Sequence, residues 1–229
     1  MPETKRMAPA KEKVVKNQAY SLSDAADLVV EFANAGFDES FDVSVSLGLD
    51  PKKPDQQLRR ALILPHGSGK KVRVAVFAEG DQAEEAEKQG ADAVGMSDLA
   101  EEMRKGQCDY DVVIASLQAM PLVGKLGPVL GPKGIMPNPK LGTVTANVGS
   151  AVKQAKSGRI QYRTDKSGMV NCSVGKASFA KEQLLDNVRC LIDDLKKAKP
   201  STAKGVYLKK VVVSSTMGVG VVVEPASVT

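Results

Sequence analysis

Few residues in this chain of 229 could make or break bonds. His66 is the single histidine, which excludes a multi-histidine metal centre. It would serve a nucleophile-base pair only if every other partner converged on it. It stands in Leu64-Pro-His-Gly-Ser-Gly69, a turn-like sequence, and reads as a linker residue. Cys108, Cys172 and Cys190 lie far apart with no Cys-x-x-Cys pair. That spacing argues against structural zinc and for a reducing cytosol, and each cysteine reads as a small buried hydrophobe. No metal is expected. Gly67-Ser-Gly-Lys-Lys71 invites a phosphate-loop reading, but no glycine stands five residues before Gly69, and Lys71 replaces the hydroxyl that would reach magnesium. Gly218-Val-Gly-Val-Val-Val lacks the third glycine of a dinucleotide fingerprint and runs into a strand. No cofactor is implied.

Anion binding is the chemistry that remains. In Gly124-Lys-Leu-Gly-Pro-Val-Leu-Gly-Pro-Lys-Gly-Ile-Met-Pro-Asn-Pro-Lys-Leu-Gly-Thr143, glycines let backbone amides approach an anion and prolines stiffen the chain. Lys125, Lys133 and Lys140 supply the charge. From Val112 through Thr164 there is no Asp or Glu, although Lys153, Lys156, Arg159 and Arg163 also fall within it. Glu79 to Asp111, just upstream, is crowded with acids. A stretch without carboxylates preserves the positive potential that attracts phosphate. The whole chain holds 32 basic and 27 acidic residues, a net +5, which suits a polyanionic partner. Lys5, Arg6, Lys11, Lys13 and Lys16 make a basic arm at 1–20 that reads as mobile, its bland alternative being a frayed tail. Aromatic residues are 4% with no Trp, which argues against extensive base stacking. Apolar runs stay far short of the about 20 residues that span a membrane, and the N-terminus lacks the apolar stretch of a secretory signal. A cytoplasmic protein with no membrane partner is expected.

The elements that would position these residues come in two styles. Ser21 or Ser23 can cap a helix through Ala25, Leu28, Val29 and Phe32, with Gly36 as its stop. Phe41 to Leu47 alternates like a half-buried strand, and Leu58 to Leu64 reads as a second. Val72–Ala78, Ala91–Gly95 and Val112–Ala115 are apolar strands separated by helices near 81–89 and 98–105, the signature of a parallel sheet. The stretch from Gly124 to Gly142 is too long for a connector and so reads as functional or mobile. A helix follows at 147–157. Strands at 159–163 and 169–174, an amphipathic helix at 181–198 and a hairpin around Thr216-Met-Gly218 restore the first style. An α+β region at both ends of an α/β region suggests a domain inserted into a domain, with crossings near Pro65–Gly69 and Ser157–Gly158.

Leu130-Gly-Pro-Lys-Gly-Ile-Met-Pro-Asn-Pro-Lys-Leu-Gly-Thr resembles the signature of the bacterial ribosomal protein L-one family, the large subunit's side-stalk protein. Phe37-Asp-Glu-Ser, Leu64-Pro-His-Gly, Gly90-Ala-Asp, Gly158-Arg-Ile, Tyr162-Arg-Thr-Asp-Lys, Val174-Gly-Lys-Ala-Ser-Phe and Ser215-Thr-Met-Gly stand in the expected order over nearly the whole chain. The resemblance implies two domains, α+β and α/β. Residues 1–66 plus 159–229 would form a split β-α-β domain similar to the RNA-recognition fold. Residues 67–158 would form an inserted Rossmann-like three-layer domain that binds no dinucleotide. His66, Gly67 and Gly158 would be hinges. It also implies a non-enzymatic, ribosome-bound protein that is monomeric when free. Its partners would be large-subunit rRNA, exit-site tRNA, whose deacylated form it helps to leave, and its own mRNA, whose translation it represses.

For binding, the resemblance implies Phe37 and Ser40 in one RNA-facing element, Thr216, Met217 and Gly218 in another, and Arg163, Asp165 and Lys166 on a neighbouring edge, with Lys210 added. Lys125, Lys133 and Lys140 would form a secondary RNA-binding loop. Gly36 departs from the lysine common in relatives and loses a charge; Ser40 stands where threonine is common and keeps the hydroxyl. Structured RNA is read largely by shape, through ribose and backbone. Phe37 and Met217 offer apolar surface for stacking, and Gly218 has no side chain to hold RNA away. Cut at the implied boundaries, residues 67–158 hold 11 basic and 11 acidic residues, so the whole excess falls on the remainder. Two rivals remain. One is an enzyme using the central α/β region on a phosphorylated ligand, for which 124–142 offers no carboxylate or histidine. The other is a general nucleic-acid chaperone acting through the basic arm.

Overall fold

The structure, a computed structural model, describes residues 8–15, 18–106 and 108–228. In chain order the elements are α1 (Ala8–Lys13), α2 (Leu22–Glu31), β1 (Ser40–Leu47), β2 (Arg59–Ile63), β3 (Val74–Phe77), α3 (Asp81–Lys88), β4 (Ala93–Gly95), α4 (Ser97–Arg104) and β5 (Val112–Ala115). Then follow α5 (Met120–Gly124), α6 (Gly127–Lys133), α7 (Val148–Lys156), β6 (Arg159–Arg163), β7 (Met169–Lys176), α8 (Lys181–Lys197), β8 (Leu208–Ser215) and β9 (Val221–Val223). The chain divides into two compact units, 1–69 with 160–229, and 70–159.

The first unit is built on a sheet ordered β7-β1-β8-β9, antiparallel throughout. Strict alternation in β1 buries Phe41, Val43, Val45 and Leu47 on one face. That face packs against Leu22, Ala25, Ala26 and Val29 of α2 and Leu184, Val188, Leu191, Ile192 and Leu195 of α8, residues at helical spacing. Ser40, Asp42, Ser44 and Ser46 therefore share the other face, which the helices leave open. The Ser21 hydroxyl accepts from the Asp24 amide at 3.2 Å and starts α2. The helix ends at Glu31 rather than Gly36: the Asn34 side chain donates to the Glu31 carbonyl at 3.2 Å, and Phe32 turns into the core. A small second sheet pairs β2 with β6.

The N-terminal segment is no free arm over its described part. Ala10 and Val14 are buried, and Lys13 pairs with Glu31 and lies 5.6 Å from the centre of the Phe32 ring. Apolar contact thus docks residues 8–14 against the first unit. Lys5, Arg6 and Lys16 lie outside the described residues.

In the second unit β4-β3-β5 form a parallel sheet, Val74 opposite Val112 and Phe77 opposite both Gly95 and Ala115. Every residue of β3 is buried because helices cover both faces. Val74, Val76 and Ile114 face α3 and α7; Ala75, Phe77 and Val113 face α4, α5 and α6. The Gly- and Pro-rich stretch is folded, which answers the mobile alternative of its reading as functional or mobile. Val123, Leu126, Leu130 and Leu141 are buried, and Gly134 and Gly142, at φ +73° and +64°, end the α6 and 139–141 turns. Residues 143–145 then extend the sheet beside β5, the Ala115 amide donating to the Thr143 carbonyl at 2.9 Å.

The first division falls three residues after the one expected from sequence, and the second one residue after. His66 and Gly67 are fastened to the first unit. The buried Asn187 of α8 accepts from the His66 amide at 3.2 Å and donates to the Gly67 carbonyl at 3.0 Å, while the His66 ring meets Asp186 at 3.3 Å. A Cβ on Gly69 would stand 2.8–2.9 Å from Lys176 and Phe179 side-chain atoms, so this residue too is packed into the first unit. Gly158, at φ +87°, allows the bend that precedes β6.

Candidate nucleic-acid interface

Two chain segments more than 170 residues apart meet at one end of the first unit's sheet. Phe41 stands opposite Ser215 in the ladder, so the loop before β1 lies beside the turn after β8. The Thr216 amide donates to the Ser40 carbonyl at 3.1 Å, and the Ser40 amide donates to the Thr216 hydroxyl at 2.8 Å. On this double link stand Phe37 and Met217, 55% and 53% exposed. Two large apolar side chains exposed beside one junction make it a candidate binding surface.

Glu39 fixes the junction. Its side chain is 1% exposed and accepts from the Ala35 amide at 2.9 Å and the Met217 amide at 3.0 Å. A buried carboxylate is tolerable only with such donors, and here they come from both segments. Sequence reading missed Glu39 because its polarity and its place in a loop gave no sign of burial. Lys176, opposite Ser40 in β7, was missed as well; its ammonium donates to the Asp38 carbonyl at 3.2 Å and the Ser40 hydroxyl at 3.3 Å. Gly218 has an internal reason to be glycine. A Cβ there would sit 2.3 Å from the Ser215 hydroxyl, itself a buried group without a hydrogen-bond partner among the described residues.

Lys210 lies elsewhere. It stands opposite Ser46, which in turn faces Met169, and the Asp165 amide donates to the Met169 carbonyl at 2.7 Å. Arg163, Asp165, Lys166 and Lys210 thus gather at the far end of β1, about 20 Å from Ser40 at roughly 3.3 Å per residue. Lys210 stands on the four-stranded sheet, whereas Arg163 ends β6 of the small second sheet, and together the four form a second cluster. Between the clusters the open face is small and polar, with Asp42, Ser44, Asn171, Ser173 and Ser214 lining a shallow depression. Burial raises the Asp42 carboxyl above its ordinary value, offset in part by the Ser173 hydrogen bond and the Lys176 charge.

In the second unit, Lys133 donates to the Cys108 carbonyl at 2.9 Å. It is exposed, as are Lys125 and Lys140. Cys108 is buried as read, whereas Cys172 and Cys190 are only partly so. Burial, with Asp42 nearby, pushes the Cys172 thiol up to about 12, which keeps it protonated at neutral pH. Among the described residues no group of His, Cys, Asp and Glu is placed to hold a metal, and no helix is long and apolar enough to cross a membrane.

Comparison with known proteins places the chain in a family. Residues 29–219 match the Ribosomal protein L1p/L10e family. The large ribosomal subunit protein uL1 of Actinobacillus pleuropneumoniae (serotype 5b, strain L20) is 56% identical over 224 residues, 98% of each chain. Its counterpart in Halorhodospira halophila is 55% identical across 98% of this chain and 97% of its own, and that of Coxiella burnetii (strain Dugway 5J108-111) is 54% identical with the same coverage. A family match across most of the chain, joined to identity above half over nearly its whole length, leaves one conclusion: the chain belongs to the ribosomal protein L1p/L10e family.

Proposed function

We propose that the protein is a non-enzymatic constituent of the large ribosomal subunit that grips large-subunit rRNA with the first unit. The junction of 37–40 with 216–218 is the primary contact, and the open sheet face and the Arg163–Lys210 cluster carry the backbone onward. The observation that supports this most is the exposed Phe37–Met217 pair held over a buried carboxylate, because preorganised apolar surface on a rigid element is what stacking on a ribose or base requires. Thr216 and Ser40 add hydroxyls suited to 2′-OH and phosphate contacts. On this reading the first unit is the RNA-recognition-like domain and 70–159 the Rossmann-like one, with Lys125 and Lys140 left for secondary RNA contact. Release of deacylated tRNA from the exit site and repression of the protein's own mRNA extend the same binding, the mRNA by presenting the shape of the rRNA site.

Filter binding to an rRNA fragment tests the assignment. Met217→Ala is expected to weaken binding about tenfold to a hundredfold, from the roughly 1–3 kcal/mol that one stacked contact contributes, with the melting temperature unchanged. A folded Met217→Ala protein that binds with undiminished affinity removes this junction from the interface.

A further inference from the structure

The ribbon formed by β2 and β6 carries a pair of arginines that neither its fold nor its core requires. Leu58 and Thr164 are joined by two hydrogen bonds, Thr164 amide to Leu58 carbonyl at 2.9 Å and Leu58 amide to Thr164 hydroxyl at 3.2 Å. The start of one strand thus lies beside the end of the other, so the ribbon is antiparallel and the residues pair inward from 58 and 164. Arg60 and Tyr162 then oppose each other, and both reach the same group: the Tyr162 hydroxyl donates to Asp194 of α8 at 2.5 Å and Arg60 lies 3.5 Å from it. Alternation sends their neighbours, Arg59 and Arg163, to the opposite, solvent-facing side, directly across from one another. Both are exposed, and neither side chain forms a hydrogen bond or ion pair among the described residues. Next along that face come Ala61 and Gln161, without a carboxylate.

Like charges directly opposite on a ribbon cost stability, and nothing internal compensates this pair. We infer that Arg59 and Arg163 together clamp an RNA phosphate, making Arg59 a further backbone-binding residue. This rests on the rRNA-binding reading above. The guanidinium fork matches a phosphate in two-pronged fashion, and two forks with Cβ atoms about 5 Å apart can bracket one phosphate group. A phosphodiester bound there would also neutralise the repulsion that the free protein carries. Position favours the RNA chain as the occupant: Arg163 runs through the turn at 165–168 to Met169, whose opposite residue Ser46 faces Lys210, so the pair continues the basic end of the open sheet face.

The test is a salt series of fluorescence-anisotropy titrations with an rRNA fragment, comparing the full-length protein with Arg59→Gln and Arg59→Lys. Each phosphate contact contributes about one unit to the slope of log affinity against log salt. Arg59→Gln is expected to lower that slope by about one and affinity several-fold at low salt, with a melting temperature equal to or above the parent's. Arg59→Lys should keep most of the slope while losing part of the affinity. An unchanged slope and affinity in Arg59→Gln, while the parent binds normally, overturns the clamp. So does a series in which inorganic phosphate alone raises the parent's melting temperature but not that of Arg59→Gln, with the RNA slopes identical. Failure of the parent itself to bind the fragment overturns the underlying rRNA reading instead.

Discussion

The junction at 37–40 and 216–218 and the glycine-proline-lysine stretch at 124–142 make an instructive pair. The stretch has the more conspicuous sequence, yet it spends its glycines on helix ends, its leucines on the core and Lys133 on a backbone carbonyl. The junction looks plain in sequence, yet it exposes two large apolar side chains and buries a carboxylate to hold them. A distinctive motif can thus record a demanding fold, while a plain stretch can expose large apolar side chains over a buried carboxylate.

That contrast can be broken or sharpened by substitution. Glu39→Ala should have the largest effect, because it leaves two amides of the junction without their buried acceptor. A loss of about 3 kcal/mol in denaturant unfolding is expected, with rRNA affinity down more than tenfold; wild-type stability would show the carboxylate to be incidental. Gly218→Ala should cost roughly 1–3 kcal/mol through its clash with the Ser215 hydroxyl. Adding Ser215→Ala removes the clashing atom and should restore most of that stability. If RNA affinity returns too, Gly218 serves the turn; if it stays low, the RNA itself approaches the glycine. Lys133→Ala should invert the pattern, lowering stability by about 1 kcal/mol and leaving affinity for the rRNA fragment unchanged. A drop in affinity without a drop in stability would move the second unit's stretch into the interface.

The smallest effects concern acid. Asp92 of the second unit accepts from the Val74 amide at 2.8 Å and pairs with Lys156, which holds its carboxyl below 3.8. A depressed carboxyl stabilises the fold above its ordinary value, and that contribution fades as pH falls through the folded value. Asp42 is raised by burial, so its ionisation works against the fold as pH climbs through its folded value. Asp92→Asn should therefore lower the melting temperature at about pH 6 and not at about pH 3, whereas Asp42→Asn should raise it at the higher pH only; each shift is worth under about 1 kcal/mol. Shifts of the same sign would show that other groups dominate the titration.

Much of the fold was legible because its signals are periodic. The alternation from Phe41 to Leu47 and the apolar spacing of α8 depend only on which side of an element faces the core. The three buried parallel strands could be anticipated from their apolar runs and the helices between them. What stayed hidden depends on tertiary contact. The early end of α2 follows from Phe32 packing, the docking of residues 8–14 from two buried side chains, and the fastening of His66 and Gly67 from Asn187, a polar residue on an otherwise apolar helix face. In the candidate site, the members at each end of the sheet were named from resemblance, but their separation along β1 follows from register, which no local pattern encodes. Glu39 and Arg59 escaped notice because one is buried by a partner distant in sequence and the other is exposed by alternation on a ribbon.

The first unit's central strand, β1, precedes the 70–159 unit, while both strands that flank it follow. During synthesis, then, the middle unit has all its residues together long before its host does. The host must wait with β1 and β2 both unpaired until β6, β7 and β8 emerge. Residue 40 meets residue 216 only after every residue of the 70–159 unit has been made, so the junction is assembled later than the unit that interrupts it.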